Sequence, residues 1–207
     1  MMNQNDCNAC GKCKDMEEKN TELCENLYTI LIYSENTPGL LSQISAIFTR
    51  RQVNIETINV CASSTPGVHK YTVTCCCTRS MAEMLTKQIE KRIDVLQSNY
   101  YTDDEIFIIE TSLLKISTPV MLADSRVSSA IRNHGARIVE VNPTYATAEK
   151  TGTTADILSL YNALNQTGAV LQFVRSGRIC ITKSTSERLD EYLAQREKER
   201  AQPEANK

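Results

Sequence analysis

The sequence predicts an α+β protein of two tandem small domains, each running strand, helix, strand, strand, helix, strand. Three observations carry this. Short β-rich runs alternate with segments whose apolar residues recur at helical spacing. Proline, glycine, asparagine and serine punctuate the junctions. The order found over residues 27–102 then recurs over 103–183, at an offset of 83 residues that carries Leu27 to Glu110 and Val53 to Ala136.

In the first domain, Leu27 to Tyr33 is a β-rich run closed by Ser34-Glu35-Asn36-Thr37-Pro38-Gly39, a strand followed by a turn. Leu40, Leu41, Ile44, Ile47 and Phe48 then recur as one face of a helix, with Thr37 expected as N-cap and Pro38 at the first helical position. Val53 to Val60 alternates apolar and polar residues. After Ser63-Ser64-Thr65-Pro66-Gly67, Val68 to Thr78 is again strand-like, so the two form a hairpin. A second helix places Met81, Met84, Leu85 and Ile89 on one face, and Ile93 to Tyr101 is the closing strand.

The second domain repeats the order: strand Ile106–Ile116, helix Val120–Asn133 ending at His134-Gly135, strands Ala136–Val141 and Tyr145–Lys150, helix Ala155–Leu164 and strand Val170–Thr182. This βαββαβ order is the split βαβ, or ferredoxin-like, arrangement. Residues 1–26 are polar, lack periodicity and predict a flexible arm containing Cys7, Cys10, Cys13 and Cys24. Residues 184–207 carry mixed charges and predict a partly helical, solvated tail.

Composition removes several function classes. With 23 Lys and Arg against 25 Asp and Glu, the net charge of −2 supplies no basic footprint for nucleic acid or an anionic membrane. No apolar run approaches the ~20 residues of a membrane span, and the N-terminus lacks a signal peptide's apolar stretch, so a cytoplasmic location is expected. Nine cysteines, an odd number without a secretory signal, argue against a disulfide framework. Cys61, Cys75, Cys76, Cys77 and Cys180 are expected to serve as small apolar residues in a protein with no Trp and three Phe.

No catalytic constellation is present in the sequence. His134 precedes a glycine at a helix end, the place of a C-terminal cap. His69 begins a strand, and neither histidine forms a pattern with a nucleophile or metal ligands. A phosphate-binding glycine loop and a His-Glu-x-x-His motif are absent, so this chain alone is not expected to be an enzyme.

Two places point instead to binding: the turn Glu35-Asn36-Thr37-Pro38-Gly39 and the segment Asn54-Ile55-Glu56, which the fold is expected to bring close together. A helix N-terminus suits a carboxylate, and Gly39 lets a ligand approach that backbone. The amide oxygens of Asn36 and Asn54 can accept from an ammonium group, so a zwitterion could be held at both ends. Both asparagines also suit turns, and spacing alone leaves either role open.

At these residues the sequence resembles the ACT domain, a small amino-acid-binding regulatory module, and more narrowly the small regulatory subunits of acetolactate synthase. The resemblance lies in Glu35-Asn36-Thr37-Pro38-Gly39-Leu40-Leu41-Ser42, Ile47-Phe48-Thr49-Arg50-Arg51 and Val53-Asn54-Ile55-Glu56-Thr57-Ile58-Asn59-Val60, with support from Lys87 to Val95 and Ser176-Gly177-Arg178. It covers roughly residues 27–183 and is stronger in the first domain.

The resemblance implies a non-catalytic partner that activates a large subunit and confers feedback by a branched-chain amino acid, usually valine. Thiamine diphosphate, FAD and magnesium are then expected on the large subunit and no cofactor on this chain. It further implies a homodimer with valine between paired ACT domains, at Asn36, Pro38, Gly39, Leu40, Asn54 and Ile55. In the second domain the 83-residue offset sets Pro119, Leu122 and Arg137 at the places of Asn36, Gly39 and Asn54, so no second site is expected.

Two features depart from the family pattern. Gln52 stands where a glycine is usual, at a helix end suited to a left-handed residue. The arm carries Cys7-x-x-Cys10-x-x-Cys13 with Cys24, the close spacing of zinc or iron–sulfur ligands, read either as metal or redox sensing or as a disordered arm with adventitious cysteines. The alternative function is accordingly a free-standing amino-acid sensor, or a metal- or redox-sensing regulator of ACT type.

Overall fold

The computed structural model describes residues 26–183 together with 193 and 194. The chain divides into two compact units. One runs to Ile106 and takes up the chain again from Thr182; the other is Phe107–Ile181.

The first unit contains β1 (Asn26–Glu35), α1 (Leu40–Arg50), β2 (Ile55–Ala62), β3 (Val68–Cys77), α2 (Arg79–Glu90) and β4 (Val95–Tyr101). Its antiparallel sheet has the order β2-β3-β1-β4, leaving β2 and β4 as edges. Tyr28, Ile30 and Ile32 of β1 and Tyr71, Val73, Cys75 and Cys77 of β3 share one face with Leu40, Ile44, Ile47 and Phe48 of α1 and Ala82, Leu85 and Ile89 of α2. Burying that apolar surface between sheet and helices drives the layering. The helical stripes are narrower than the sequence spacing suggests: Leu41 and Met84 point outward, at 45% and 37% exposure. The α2 cap is a serviceable one, because the Thr78 hydroxyl accepts from the Met81 N–H.

The opposite face of this sheet is also buried, at Thr29, Leu31, Tyr33, Thr72 and Thr74. Leu193, which is helical, packs against Tyr33, Val68 and Leu96. The expectation of a solvated tail therefore fails at that residue, because a leucine side chain finds an apolar cluster to cover. The rest of the tail and the cysteine arm lie outside the described residues.

The second unit contains β5 (Ile106–Ser117, shared across the boundary), α3 (Thr118–Ala123), α4 (Ser125–Asn133), β6 (Arg137–Val141), β7 (Tyr145–Gly152), α5 (Thr154–Asn165), β8 (Val170–Arg175) and β9 (Ile179–Thr182). The sheet order is β6-β7-β5-β8, with β9 also pairing with β5. Leu114, Ile116, Val127, Ile131, Ala148, Leu160 and Leu164 form its core.

Two elements differ from the sequence reading here. The helix expected over Val120–Asn133 is two helices broken at Asp124, whose extended backbone (φ −117°, ψ 107°) lets its carboxylate cap Arg126 N–H and restart the helix. The single last strand is two, separated by Ser176-Gly177-Arg178, with Gly177 left-handed at φ 79°. Ser176 N–H donates to the Thr111 carbonyl, and its Oγ accepts from Thr111 N–H. Beneath this break Glu110, 1% exposed, accepts from Thr154 Oγ1 at 2.5 Å and Arg175 Nη1 at 3.3 Å, with Arg178 Nε at 3.7 Å. Buried charge of this kind persists only when paired and hydrogen-bonded.

Candidate functional site

The turn that opens α1 is built from Thr37-Pro38-Gly39-Leu40. Leu40 N–H donates to the Thr37 carbonyl at 3.3 Å, and Gly39 takes φ 85°, ψ −6°, the third position of a type II turn that glycine supplies after proline. Thr37 is thus not the helix N-cap. Gly39 holds that position, and no side chain caps the helix. The N–H groups of Leu41 and Ser42, in the first helical turn, have no intrahelical acceptor to receive them. A Cβ built on Gly39 would meet nothing within 4 Å, so the approach to this backbone is open.

Asn36 precedes the turn and Pro38 is its second residue, and both are exposed. The Asn36 N–H donates to the Gly67 carbonyl, and its side-chain amide makes no hydrogen bond among the described residues. Leu40, fully buried, belongs to the core beneath the turn, and its N–H is already committed.

Asn54 lies elsewhere in the same chain. β1 and β2 are both antiparallel to β3 and hence parallel to each other. Ile55 is level with Cys75 and so with Tyr28 at the start of β1, whereas Asn36 follows Glu35 at its finish. The strand between spans about 25 Å at ~3.3 Å per residue. The two asparagines therefore do not meet within one chain, contrary to the sequence expectation, because α1 returns the chain to the far end of the sheet before β2 begins. At that end Asn54 Nδ2 donates to Glu56 Oε1 at 3.1 Å, leaving Oδ1 as an acceptor, and Ile55 is half-buried against the core.

The link from α1 to Asn54 is a Schellman turn. Val53 N–H donates to Phe48 O and Gln52 N–H to Thr49 O, with Gln52 left-handed at φ 54°. Among the described residues it is the one non-glycine with positive φ. The second unit repeats the motif at the end of α4 (Ala136 N–H to Ile131 O, Gly135 N–H to Arg132 O), where glycine takes the left-handed place at φ 61°.

The second unit has no counterpart to the glycine turn. β5 passes directly into α3, Ser117 N–H donates to Ala169 O, and the Thr118 N–H and hydroxyl are held by the carbonyls of Thr144 and Asn142. His134 Nδ1 donates to Ala130 O at 2.9 Å and its Nε2 meets Ser159 Oγ, the structural role its position suggests.

The strand cysteines divide by face. Cys75 and Cys77 are buried with their sulfurs 3.9 Å apart. The hydrogen bond between them, with burial, pushes the Cys75 thiol far up, while the same bond holds Cys77 below the ordinary thiol range. Cys180 is buried and Cys61 exposed. Cys76, on the other face, is disulfide-bonded, so it and the exposed Cys61 depart from the expectation of apolar filling. No group of three or more metal-ligating side chains occurs among the described residues; Cys7, Cys10, Cys13 and Cys24 lie outside them.

The βαββαβ unit with an open glycine turn at its first helix defines an ACT-type regulatory module. Residues 30–97 match the family model described as the AHAS small subunit-like ACT domain, and residues 109–184 match the model for the small subunit of acetolactate synthase. The chain is 29% identical to the acetolactate synthase small subunit of Mycobacterium leprae, over 75% of this chain and 91% of that one. It is 28% identical to a probable acetolactate synthase small subunit of Methanothermobacter thermautotrophicus, over 79% and 97%. The crystal structure of the Thermotoga maritima acetolactate synthase small subunit superposes with a TM-score of 0.70 at 21% identity, covering 78% of this chain and 99% of that one. The chain belongs to the acetolactate synthase small-subunit family, and its role is that of a regulatory, non-catalytic subunit. No helix among the described residues is long and apolar enough to cross a membrane.

Proposed function

We propose that this chain activates a large, thiamine-diphosphate-dependent catalytic subunit of acetolactate synthase in the cytoplasm and makes it sensitive to feedback by valine or another branched-chain amino acid. The observation that supports amino-acid binding is the uncapped start of α1 behind Gly39, where free N–H groups and the helix dipole suit a carboxylate. Asn36 beside it has an unengaged amide for the ligand's polar atoms. Thiamine diphosphate, FAD and magnesium belong to the large subunit in this reading.

The separation of Asn36 and Asn54 supports a site shared by two copies. β2 is an edge strand, with Ile58 and Val60 more than a third exposed. Two-fold pairing of β2 edges reverses the second copy's strand and carries its Asn54 and Ile55 to the end of the sheet where the first copy's Asn36–Gly39 turn lies. Feedback then follows if the amino acid binds one arrangement of the complex more tightly than another.

The test mixes the chain with its large subunit and follows acetolactate formation with and without valine. A rise in activity and a gain of valine inhibition are expected; absence of both sinks the reading and leaves a free-standing sensor. Asn36→Ala and Gly39→Asp are expected to abolish feedback and spare activation. The aspartate side chain meets no neighbour at Gly39, though it carries the backbone cost of a side chain at φ 85°, and it places a carboxylate where the ligand's own must sit.

A further inference from the structure

The C-terminal ends of α1 and α2 enclose a cleft of about 390 Å³ lined by Ile47, Arg50, Arg51, Gln88, Lys91 and Arg92. Ile47, 3% exposed, belongs to the core and forms its floor. Four cations thus share one concavity on a chain whose net charge is −2. None of the four forms an ion pair among the described residues, although Glu90 and Asp94 flank Lys91 and Arg92 in sequence. Helix C-termini favour cations, but the Schellman turn already satisfies the last α1 carbonyls, and four like charges in one cleft repel until an anion joins them.

Directly beside Arg92 stands Ile93, 93% exposed, the most exposed large apolar side chain described. An apolar side chain projecting from a rim of arginines fits a protein partner: arginine is enriched at interfaces, and an apolar anchor needs a pocket to enter. A small polyanion would use the cations and leave Ile93 in water.

We infer that this cleft and Ile93 form the docking surface for an acidic stretch of the catalytic subunit, its carboxylates entering between Arg50, Arg51, Lys91 and Arg92 and an apolar pocket receiving Ile93. The inference rests on the reading that the chain serves such a subunit. Arg51 and Asn54 belong to the same short α1–β2 connection, so docking and the proposed effector site share one backbone segment.

The experiment measures association of the full-length chain with the purified large subunit across a range of salt concentrations. If the wild-type chain does not associate, the regulatory reading itself fails. If it does, Arg50→Glu/Lys91→Glu is expected to slow association at low salt by about tenfold or more and flatten its salt dependence, with Arg50→Gln/Lys91→Gln intermediate. Ile93→Asp is expected to speed dissociation by about tenfold. All three positions are exposed or at the cleft rim, and an unchanged thermal midpoint checks their folding. Wild-type kinetics in the variants overturn the proposal. So does an equal slowing by Arg132→Glu/Arg137→Glu, which makes the same charge change on the second unit and would show a general charge effect.

Discussion

Gln52 occupies a left-handed backbone position at φ 54° that its counterpart in the second unit, Gly135, fills without a side chain. The left-handed conformation costs an L-residue roughly 1–2 kcal/mol, partly offset by glycine's larger unfolded-state entropy. Gln52→Gly is therefore expected to stabilise the first unit by about 1 kcal/mol, read as a rise in denaturant midpoint at unchanged slope. The offset of 83 residues already aligned these two positions, so this equivalence was legible in sequence; that two backbone hydrogen bonds, from Gln52 N–H and Val53 N–H, close the turn around Gln52 was not. The cysteines separate in the same way. Exposed Cys61 is expected to react with iodoacetamide in the native protein, while Cys75, buried and kept protonated by its bond to Cys77, is expected to react only after unfolding. Alternation along a strand told which cysteines share a face, but their exposure depended on what the rest of the chain lays over that face.

Elements were legible where one period dominated and obscured where a polar side chain competed with the backbone. The spacing over 120–133 is helical throughout, yet Asp124 captures the Arg126 N–H and splits it. At α5 the competition favours the helix. Thr153 and Asp156 form a capping box, and the hydroxyl and N–H of Thr153 hold the Asp156 carboxyl below its ordinary range. A lowered folded-state value means the stabilisation is present above the unfolded value near pH ~4 and is lost as pH falls through the folded one. Asp156→Asn is thus expected to be less stable than wild type at neutral pH and to converge with it in acid, by thermal unfolding across pH. Glu110 is the other feature periodicity hides, because its partners Arg175 and Arg178 come from 65 and 68 residues away. Replacing it with alanine removes a buried carboxylate that pairs with Arg175 and Arg178 and leaves a void. Glu110→Ala is expected to cost about 3–5 kcal/mol, measured by denaturant unfolding.

At the scale of the molecule, strand register governs the proposed site. With Asn36 and Asn54 at opposite ends of one sheet, a shared site between two copies makes a distinct forecast. Asn36→Ala and Asn54→Ala homodimers are each expected to lose valine binding, whereas subunits mixed and exchanged regain one intact site per mixed dimer, measurable by calorimetry. If a single chain held both asparagines in one site, mixing would restore nothing.

The sequence by itself determined the two βαββαβ units, the glycine turn at the first helix and its absence from the second, because these depend on local period and on residues that alone tolerate particular backbone angles. The family was legible for the same reason: its motifs lie in contiguous stretches. Only the tertiary structure decided that the two asparagines part company, that four cations converge beside a bare isoleucine, and that Glu110 is buried among arginines. Each of these depends on register and on the direction in which a helix returns the chain, quantities set by packing between segments distant in sequence.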